Sequence, residues 1–323
     1  MEVSDVRYEL YGLMAGNPYT TRPLNSLEQE LDRSLLLELE GFVRLPKLQE
    51  AIEAAVTRRG PALFLITGVG MSGRTSLANH LLYLYHQAHG PQHRLATHRM
   101  DGYDMTHDAY AQVRSTLLSL RNKMGLMTIE MPPGLRGRFS ELSRRGSVDP
   151  MDEYDLQEIA EFLAATFAAS DAAFGVVYEG VATKDLITLS TRVFENTPAV
   201  VVFTVDAYQH ANAAQLTEAD RSDFARRGTI IDLPLLTTRQ IACLAEQRWT
   251  GTPPVPFDPD DLQAVFDSRR FTIGQALRHL EVLLDLRLVE YEGEDLWPTD
   301  DLRMSSRWLR IKMWQGERWS RLR

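Results

Sequence analysis

The chain has a single cysteine, Cys243, in 323 residues, so it can form no internal disulfide and suits a reducing compartment. Cys243 itself reads as a small buried apolar residue on a helix. No apolar run approaches the roughly 18 residues that a bilayer-spanning helix needs. The opening Met1-Glu2-Val3-Ser4-Asp5 is acidic and has no apolar stretch behind it, unlike a secretory signal. A cytoplasmic protein with no transmembrane segment is the expectation. His98, His107 and His210 do not fall at metal-ligand spacing and read as structural. Internal repeats and low-complexity tracts are also missing.

What is there is ordinary globular composition. Apolar residues make up 44% and charged residues 24%, enough for a sizeable core and too hydrophobic for disorder. The net charge of -9 argues against wholesale coating of nucleic acid and leaves room for a local basic patch. The length suggests one large domain with a smaller companion.

Residues 1–40 open on the turn-rich Gly16-Asn17-Pro18-Tyr19. Leu27, Leu31, Leu35 and Leu39 then recur at four-residue steps and predict a helix. A second helix is predicted over Lys47–Arg58, ended by Gly60-Pro61. Five short apolar runs follow: Ala62–Thr67, Ala96–Met100, Phe174–Tyr178, Ala199–Val205 and Thr229–Leu233. They alternate with helical patterns and read as strands buried on both faces of a parallel sheet. The second run is the weakest. The basic stretch Asn122–Asp149, with Pro132-Pro133-Gly134 and Arg136, Arg138, Arg144 and Arg145, reads as a long loop. After Leu236 the strand signal stops, and Thr237–Trp249, Asp258–Phe266 and Phe271–Leu288 predict a small helical domain.

The most informative segment lies at Leu63–Tyr85. The strand Leu63-Phe64-Leu65-Ile66-Thr67 runs into Gly68-Val69-Gly70-Met71-Ser72-Gly73-Arg74-Thr75-Ser76, and a helical pattern follows. Gly, four residues, Gly, Lys and Ser or Thr is the phosphate-loop pattern, and only Arg74 departs from it. Its glycines let backbone N–H groups turn inward round phosphates, and the helix N-terminus adds a positive dipole. Gly68, Gly70, Met71, Ser72, Gly73, Arg74, Thr75 and Ser76 are therefore the candidate nucleotide contacts. Thr75 is the candidate to supply a hydroxyl to Mg²⁺. Arginine is a planar fork where lysine is a compact point charge, so binding should survive the replacement better than hydrolysis.

This segment resembles the AAA+ ATPases, particularly the bacterial and origin-recognition-like branch, with the likeness spanning roughly residues 41–290. The resemblance implies ATP or ADP with Mg²⁺ as cofactors and a homo-oligomer or a protein partner. It also assigns further residues by position. Glu179, ending Phe174-Gly175-Val176-Val177-Tyr178-Glu179, matches the carboxylate that orients the attacking water. Tyr178 stands where a metal-linked Asp is expected. Thr204 or Asp206 ends the strand that would sense the γ-phosphate. Arg226 or Arg227 lies where the family carries a finger into the neighbouring subunit, and Arg278, after Phe271-Thr272-Ile273-Gly274, where a lid arginine is expected. Glu179, Arg227 and Arg278 are thus the candidate catalytic residues. Arg74 and Tyr178 each remove a charge or a metal ligand from a reaction that depends on both.

The last segment is basic and aromatic. Seven Lys or Arg residues and Trp308, Trp314 and Trp319 follow Leu302 in an acidic protein. Such a tail suits nucleic acid, a protein surface, or packing on the helical domain. The expected fold is α/β: a five-stranded parallel P-loop sheet with helices on both faces, followed by an all-helical lid. The expected organisation is an N-terminal helical extension over 1–40, the nucleotide domain over 41–236, the lid over 237–292 and the tail over 293–323. The expected function is ATP binding with weak or absent hydrolysis, as a nucleotide-dependent switch or scaffold. The alternative is an active ATPase that remodels a protein or DNA partner.

Overall fold

The computed structural model describes residues 8–14, 16–36, 38–101, 108–145, 151–180, 182–206, 216–251, 255–266, 270–290 and 303–320. Five parallel strands form one sheet: β1 (Ala62–Gly68), β2 (Arg94–Asp101), β3 (Ala172–Glu179), β4 (Ala199–Asp206) and β5 (Thr229–Asp232). Their spatial order is β2-β3-β4-β1-β5, so β1 lies between β4 and the edge strand β5, and its C-terminal end opens between them. β3 is buried along its length up to Glu179, and β4 up to Asp206, as a sheet covered on both faces requires. β2, the weakest apolar run, is an edge strand that pairs only with β3 within the sheet, which is why it tolerates Arg94, His98 and Arg99.

Helices cover both faces. On one, α2 (Leu45–Thr57) and α3 (Arg74–His89) bury Leu48, Ile52, Leu77, Leu81 and Tyr85 against β1, β3 and β4. On the other, α4 (Ala109–Leu126), α5 (Pro133–Arg145), α6 (Glu153–Ala168) and α7 (Lys184–Phe194) build a larger core round Phe174, Tyr178 and Phe203. Here the structure corrects the sequence reading. Most of the stretch expected to be a loop is helix, the last turn of α4 and then α5, which buries Leu135, Phe139 and Leu142 at helical spacing. Its arginines concealed that stripe. Arg138 pairs with Asp155 of α6 at 2.8 Å, with Glu141 at 3.0 Å and with Glu158, so the basic face is met by acidic side chains.

A short α8 (Glu218–Ala225) precedes β5. The lid follows as α9 (Thr238–Gln247), α10 (Pro259–Phe266) and α11 (Ile273–Glu290), with α9 started by a capping box between Thr237 and Gln240. The tail helix α12 (Ser306–Ser320) belongs to the same core, into which it and the residues before it bury Met304, Leu309 and Met313. Trp308 packs on that core under the Arg287 guanidinium, 5.8 Å from the ring centroid. Trp314 and Trp319 have side chains outside the described set, and Trp297, His107 and His210 lie outside the described residues.

The N-terminal extension departs most from expectation. The leucine repeat predicts a long helix, but only α1 (Glu30–Leu35) forms, with Leu31 exposed. Four-residue leucine steps are offset by Asn25, Ser26 and Asp32, whose side chains and backbone build turns instead. Tyr11, Leu13, Tyr19 and Leu39 are buried in the lid core. The segment is therefore a strap on the lid rather than a separate helical unit.

Candidate functional site

The site begins where β1 ends. Gly68 has no room for a side chain, since a Cβ there would fall 2.4 Å from the Ser72 hydroxyl. The chain then turns through Met71 at φ 62° and Gly73 at φ 91°, and α3 starts at Arg74. Positive φ at Gly73 is the conformation glycine adopts without strain. The result is a strand, a tight loop and a helix N-terminus in line, which is a ready-made anion cradle. The Ser72 hydroxyl is buried there with no hydrogen-bond partner. A buried polar atom left unpaired calls for a ligand or a water.

The loop forms one wall of a cleft of about 310 Å³. Met71 to Leu77 line it from below. Lid residues Leu244, Arg248, Ile273 and Leu277 line it from above, and Thr20, Thr21 and Arg22 close one side. The lid stands directly on the loop: the Gly274 amide donates to the Met71 carbonyl at 2.9 Å. A Cβ on Gly274 would lie 2.8 Å from that same oxygen, so glycine is what permits the approach. The N-terminal strap bridges the two bodies. The Leu24 amide donates to the Ser76 hydroxyl at 3.0 Å, Asn79 donates to the Leu24 carbonyl at 2.6 Å, and the Tyr19 hydroxyl donates to the Ala245 carbonyl at 2.8 Å. Ser76 thus faces the cleft while its hydroxyl holds the strap.

Arg74 does not point freely into the cleft. Its guanidinium donates to Asp206 at 2.8 Å, with both side chains largely shielded, at 17% and 13% exposure. Thr75 is half-buried beside it. Asp206 is the register partner of Gly68, so this carboxylate sits beside the first glycine of the loop. Thr204, the other residue considered on that strand, is buried and accepts a hydrogen bond from the Gly180 amide at 3.0 Å. It supports the turn after β3.

Glu179 ends β3 in an ion pair with Arg99 of β2, and Arg99 also donates to Asn79. A chain of contacts therefore runs from Glu179 through Arg99 and Asn79 to the strap at Leu24. Tyr178 faces the opposite side of the sheet, as the strand period requires. It is fully buried, stacks on Phe203 at 5.2 Å, and accepts hydrogen bonds from Thr116 and Ser190. Burial raises its phenol pKa, and its hydroxyl is engaged by α4 and α7. Thr75 and the phosphate oxygens of a ligand are what would hold Mg²⁺ here. No group of three His, Cys, Asp or Glu among the described residues is arranged to do so.

The remaining arginines are dispersed. Arg226 is exposed and lies 3.4 Å from Asp223. Arg227 precedes β5 at the end of the sheet opposite the phosphate loop. Arg278 is exposed on α11, one position past Leu277, and does not line the cleft.

Sequence reasoning missed Arg248. It caps α9, lines the cleft, is 4% exposed, and its Nε and Nη1 have no partner. Burial pulls its pKa down to about 10, partly offset by the charge of Asp32. Asp32 is itself committed to Arg22, at 2.5 and 2.7 Å, and to the Asn25 amide at 2.6 Å. Nothing in the local sequence Glu246-Gln247-Arg248-Trp249 distinguishes it from a surface arginine. Its burial comes from tertiary packing in the cleft that loop, lid and strap share.

No known family profile matches the chain, and no curated protein matches it. Among solved structures it is similar to the Aeropyrum pernix ORC2 protein determined in ADPNP–ADP complexes, at 14% identity and TM-score 0.49, covering 88% of this chain and 71% of that one. It is also similar to the Aeropyrum pernix ORC1 protein in complex with DNA, at 17% identity and TM-score 0.49, covering 88% and 69%. Drosophila ORC bound to DNA follows at 9% identity and TM-score 0.48, covering 91% and 67%. At such identities the parallel P-loop sheet rests on this chain's own strand order.

Proposed function

We propose that this chain binds a nucleotide, ATP or ADP with Mg²⁺, in the cleft between the phosphate loop and the lid, and that it acts as an AAA+-like switch or scaffold with slow or no hydrolysis. The observation that carries this reading is the loop Gly68–Thr75 at the open end of β1, roofed by Gly274 and walled by the strap. Phosphates meet backbone N–H groups and the α3 N-terminus, with Ser72 and Thr75 offering hydroxyls. The rest of the ligand lies among Leu244, Leu277 and the strap, with Arg248 supplying donors. Because one ligand touches loop, strap and lid together, its binding is coupled to how these three are held, which is what a switch requires.

Slow turnover follows from the pairings at the strand ends. Arg74 is shared with Asp206, Glu179 is engaged by Arg99, and Tyr178 is turned into the core. None of the three is poised to stabilise a phosphoryl-transfer transition state. Exposed Arg226 and its neighbour Arg227 support the second reading, an active ATPase completed by a neighbouring copy. The test is steady-state ATPase activity with nucleotide binding measured alongside, in the presence and absence of DNA. Tight binding with turnover below about one per minute supports the switch. Turnover near the ordinary enzymatic range of about 10 per second supports the enzyme.

A further inference from the structure

The tripeptide Arg-Arg-Gly closes three helices of this chain: α2 at Arg58-Arg59-Gly60, α5 at Arg144-Arg145-Gly146 and α8 at Arg226-Arg227-Gly228. In α5 the fold supplies a counter-charge, since Arg145 meets Glu141 at 2.7 Å and Asp155 at 3.5 Å. Helices α2 and α8 lead straight into β1 and β5, which are neighbours in the sheet with Phe64 opposite Thr229. Parallel pairing, with strands roughly 5 Å apart, sets these two turns side by side at the end of the sheet remote from the phosphate loop. The contact is close: a Cβ on Gly228 would lie 2.7 Å from the Leu63 carbonyl oxygen.

Arg58, Arg59, Arg226 and Arg227 are all exposed. Among the described residues their one ion pair is the contact of Arg226 with Asp223, at 3.4 Å and open to water. A helix C-terminus favours a nearby cation only modestly, which does not account for four arginines at one edge. Arg59 even holds φ 55° just after the α2 cap, a place where glycine is usual. A cavity of about 220 Å³ opens between the turns, lined by Arg58, Arg226 and Arg227 round Pro61, Ala51 and Ala54.

We propose that this end of the sheet is a binding surface for the phosphate backbone of a nucleic acid, held without regard to sequence by Arg58, Arg59, Arg226 and Arg227. The inference does not depend on the nucleotide reading above. A guanidinium has donors and no acceptor, and its planar fork matches phosphate oxygens two at a time. Four of them on adjacent turns call for an anion at every short step. A nucleic acid carries a phosphate on each nucleotide, whereas an acidic peptide offers charge only where its carboxylates fall. Phosphate contacts carry no sequence information by themselves. The net charge of -9 on the whole chain confines the attraction to this patch, because salt screens charges more than about 8–10 Å away.

The experiment is fluorescence anisotropy of the full chain with labelled single-stranded and duplex DNA of two unrelated sequences, over a range of salt. Wild type is expected to bind both sequences equally, with a log–log salt slope of roughly -3 to -4 for four phosphate contacts. Arg58→Gln with Arg59→Gln, and separately Arg226→Gln with Arg227→Gln, should each weaken binding about tenfold and lower the slope by about two. Both double variants should melt as wild type does, since the replaced side chains are exposed. Arg58→Lys with Arg59→Lys should keep most of the slope. Arg307→Gln with Arg310→Gln, on the exposed face of α12, should change nothing. No binding at low salt overturns the proposal. So does loss of binding in the α12 variant with the Arg58 and Arg59 variant intact, which would place the contact on the tail. Competition by polyglutamate as strong as that by unlabelled DNA at equal charge also overturns it, and would make an acidic protein the occupant.

Discussion

Replacing Arg248 by methionine gives opposite results for a structural and a ligand-facing residue. Arg248 is 4% exposed, with Nε and Nη1 unpaired, and burial lowers its guanidinium pKa to about 10. Each pKa unit is about 1.36 kcal/mol, so holding the charge there costs about 3 kcal/mol at neutral pH. The sign follows from linkage. This is a base whose folded pKa lies below its unfolded one, so the cost is full below about pH 10 and fades as pH climbs above it toward the unfolded value. Methionine keeps the unbranched stem and removes the charge. Asp32 loses little, because Arg22 and the Asn25 amide still hold it. Arg248→Met should therefore stabilise the ligand-free protein by about 1–3 kcal/mol, read as a melting temperature a few degrees higher. The same change should weaken nucleotide binding by about tenfold or more, since a hydrogen bond to a charged donor is worth about 1.5–3 kcal/mol. Thermal melting without ligand and calorimetry with ADP measure the two. A lower melting temperature with unchanged affinity would refute the reasoning, and Arg248 would then be an ordinary packing residue.

Gly274→Ala should weaken nucleotide binding and destabilise the lid contact by about 1–3 kcal/mol, because its Cβ would press on the Met71 carbonyl at 2.8 Å; an unchanged melt and affinity would show that the lid moves away freely. Arg99→Ala removes the ion pair that engages Glu179 and should raise any basal ATPase rate, while Glu179→Gln should change it little in a protein whose carboxylate is engaged; steady-state kinetics decides. Truncation after residue 302 should lower stability by several kcal/mol, since Leu309 and Met313 are buried in the lid core and each large apolar side chain lost costs about 2–5 kcal/mol; a truncated protein that melts normally and loses only DNA binding would restore the tail as a nucleic-acid arm. Nucleotide should promote self-association if Arg226 or Arg227 reaches a neighbour's site, and light scattering with and without ADP or ATP reads this directly.

The sheet and its phosphate loop were legible in the sequence because both signals are local. Five apolar runs map onto five strands, with β2 and β5 at the edges carrying the polar residues that a half-covered strand tolerates. The loop is written in consecutive residues. What the sequence concealed is long-range. Arg74 and Asp206 are 132 positions apart, and no pattern in either segment announces their pairing. Arg99 sits on the faintest strand and meets Glu179 only because the β2–β3 register sets it diagonally across from Glu179, two residues before Asp101. The strap's leucine repeat promised a helix. Of that repeat Leu39 is buried with Tyr11 and Tyr19, not along a helical stripe but against lid residues some 200 positions or more away. Basic residues on α5 masked a helical stripe because their acidic partners belong largely to the next helix.

The central claim, that the cleft over Gly68–Thr75 holds a nucleotide, is tested most directly by titrating the purified chain with ADP and Mg²⁺ in a calorimeter while following the melting temperature. The account predicts saturable binding at one site per chain and a melting temperature that climbs with ligand concentration, because a ligand bound only by the folded state stabilises it by mass action. A flat titration with ADP, ATP and GTP at millimolar concentration, with no shift in melting, would contradict it.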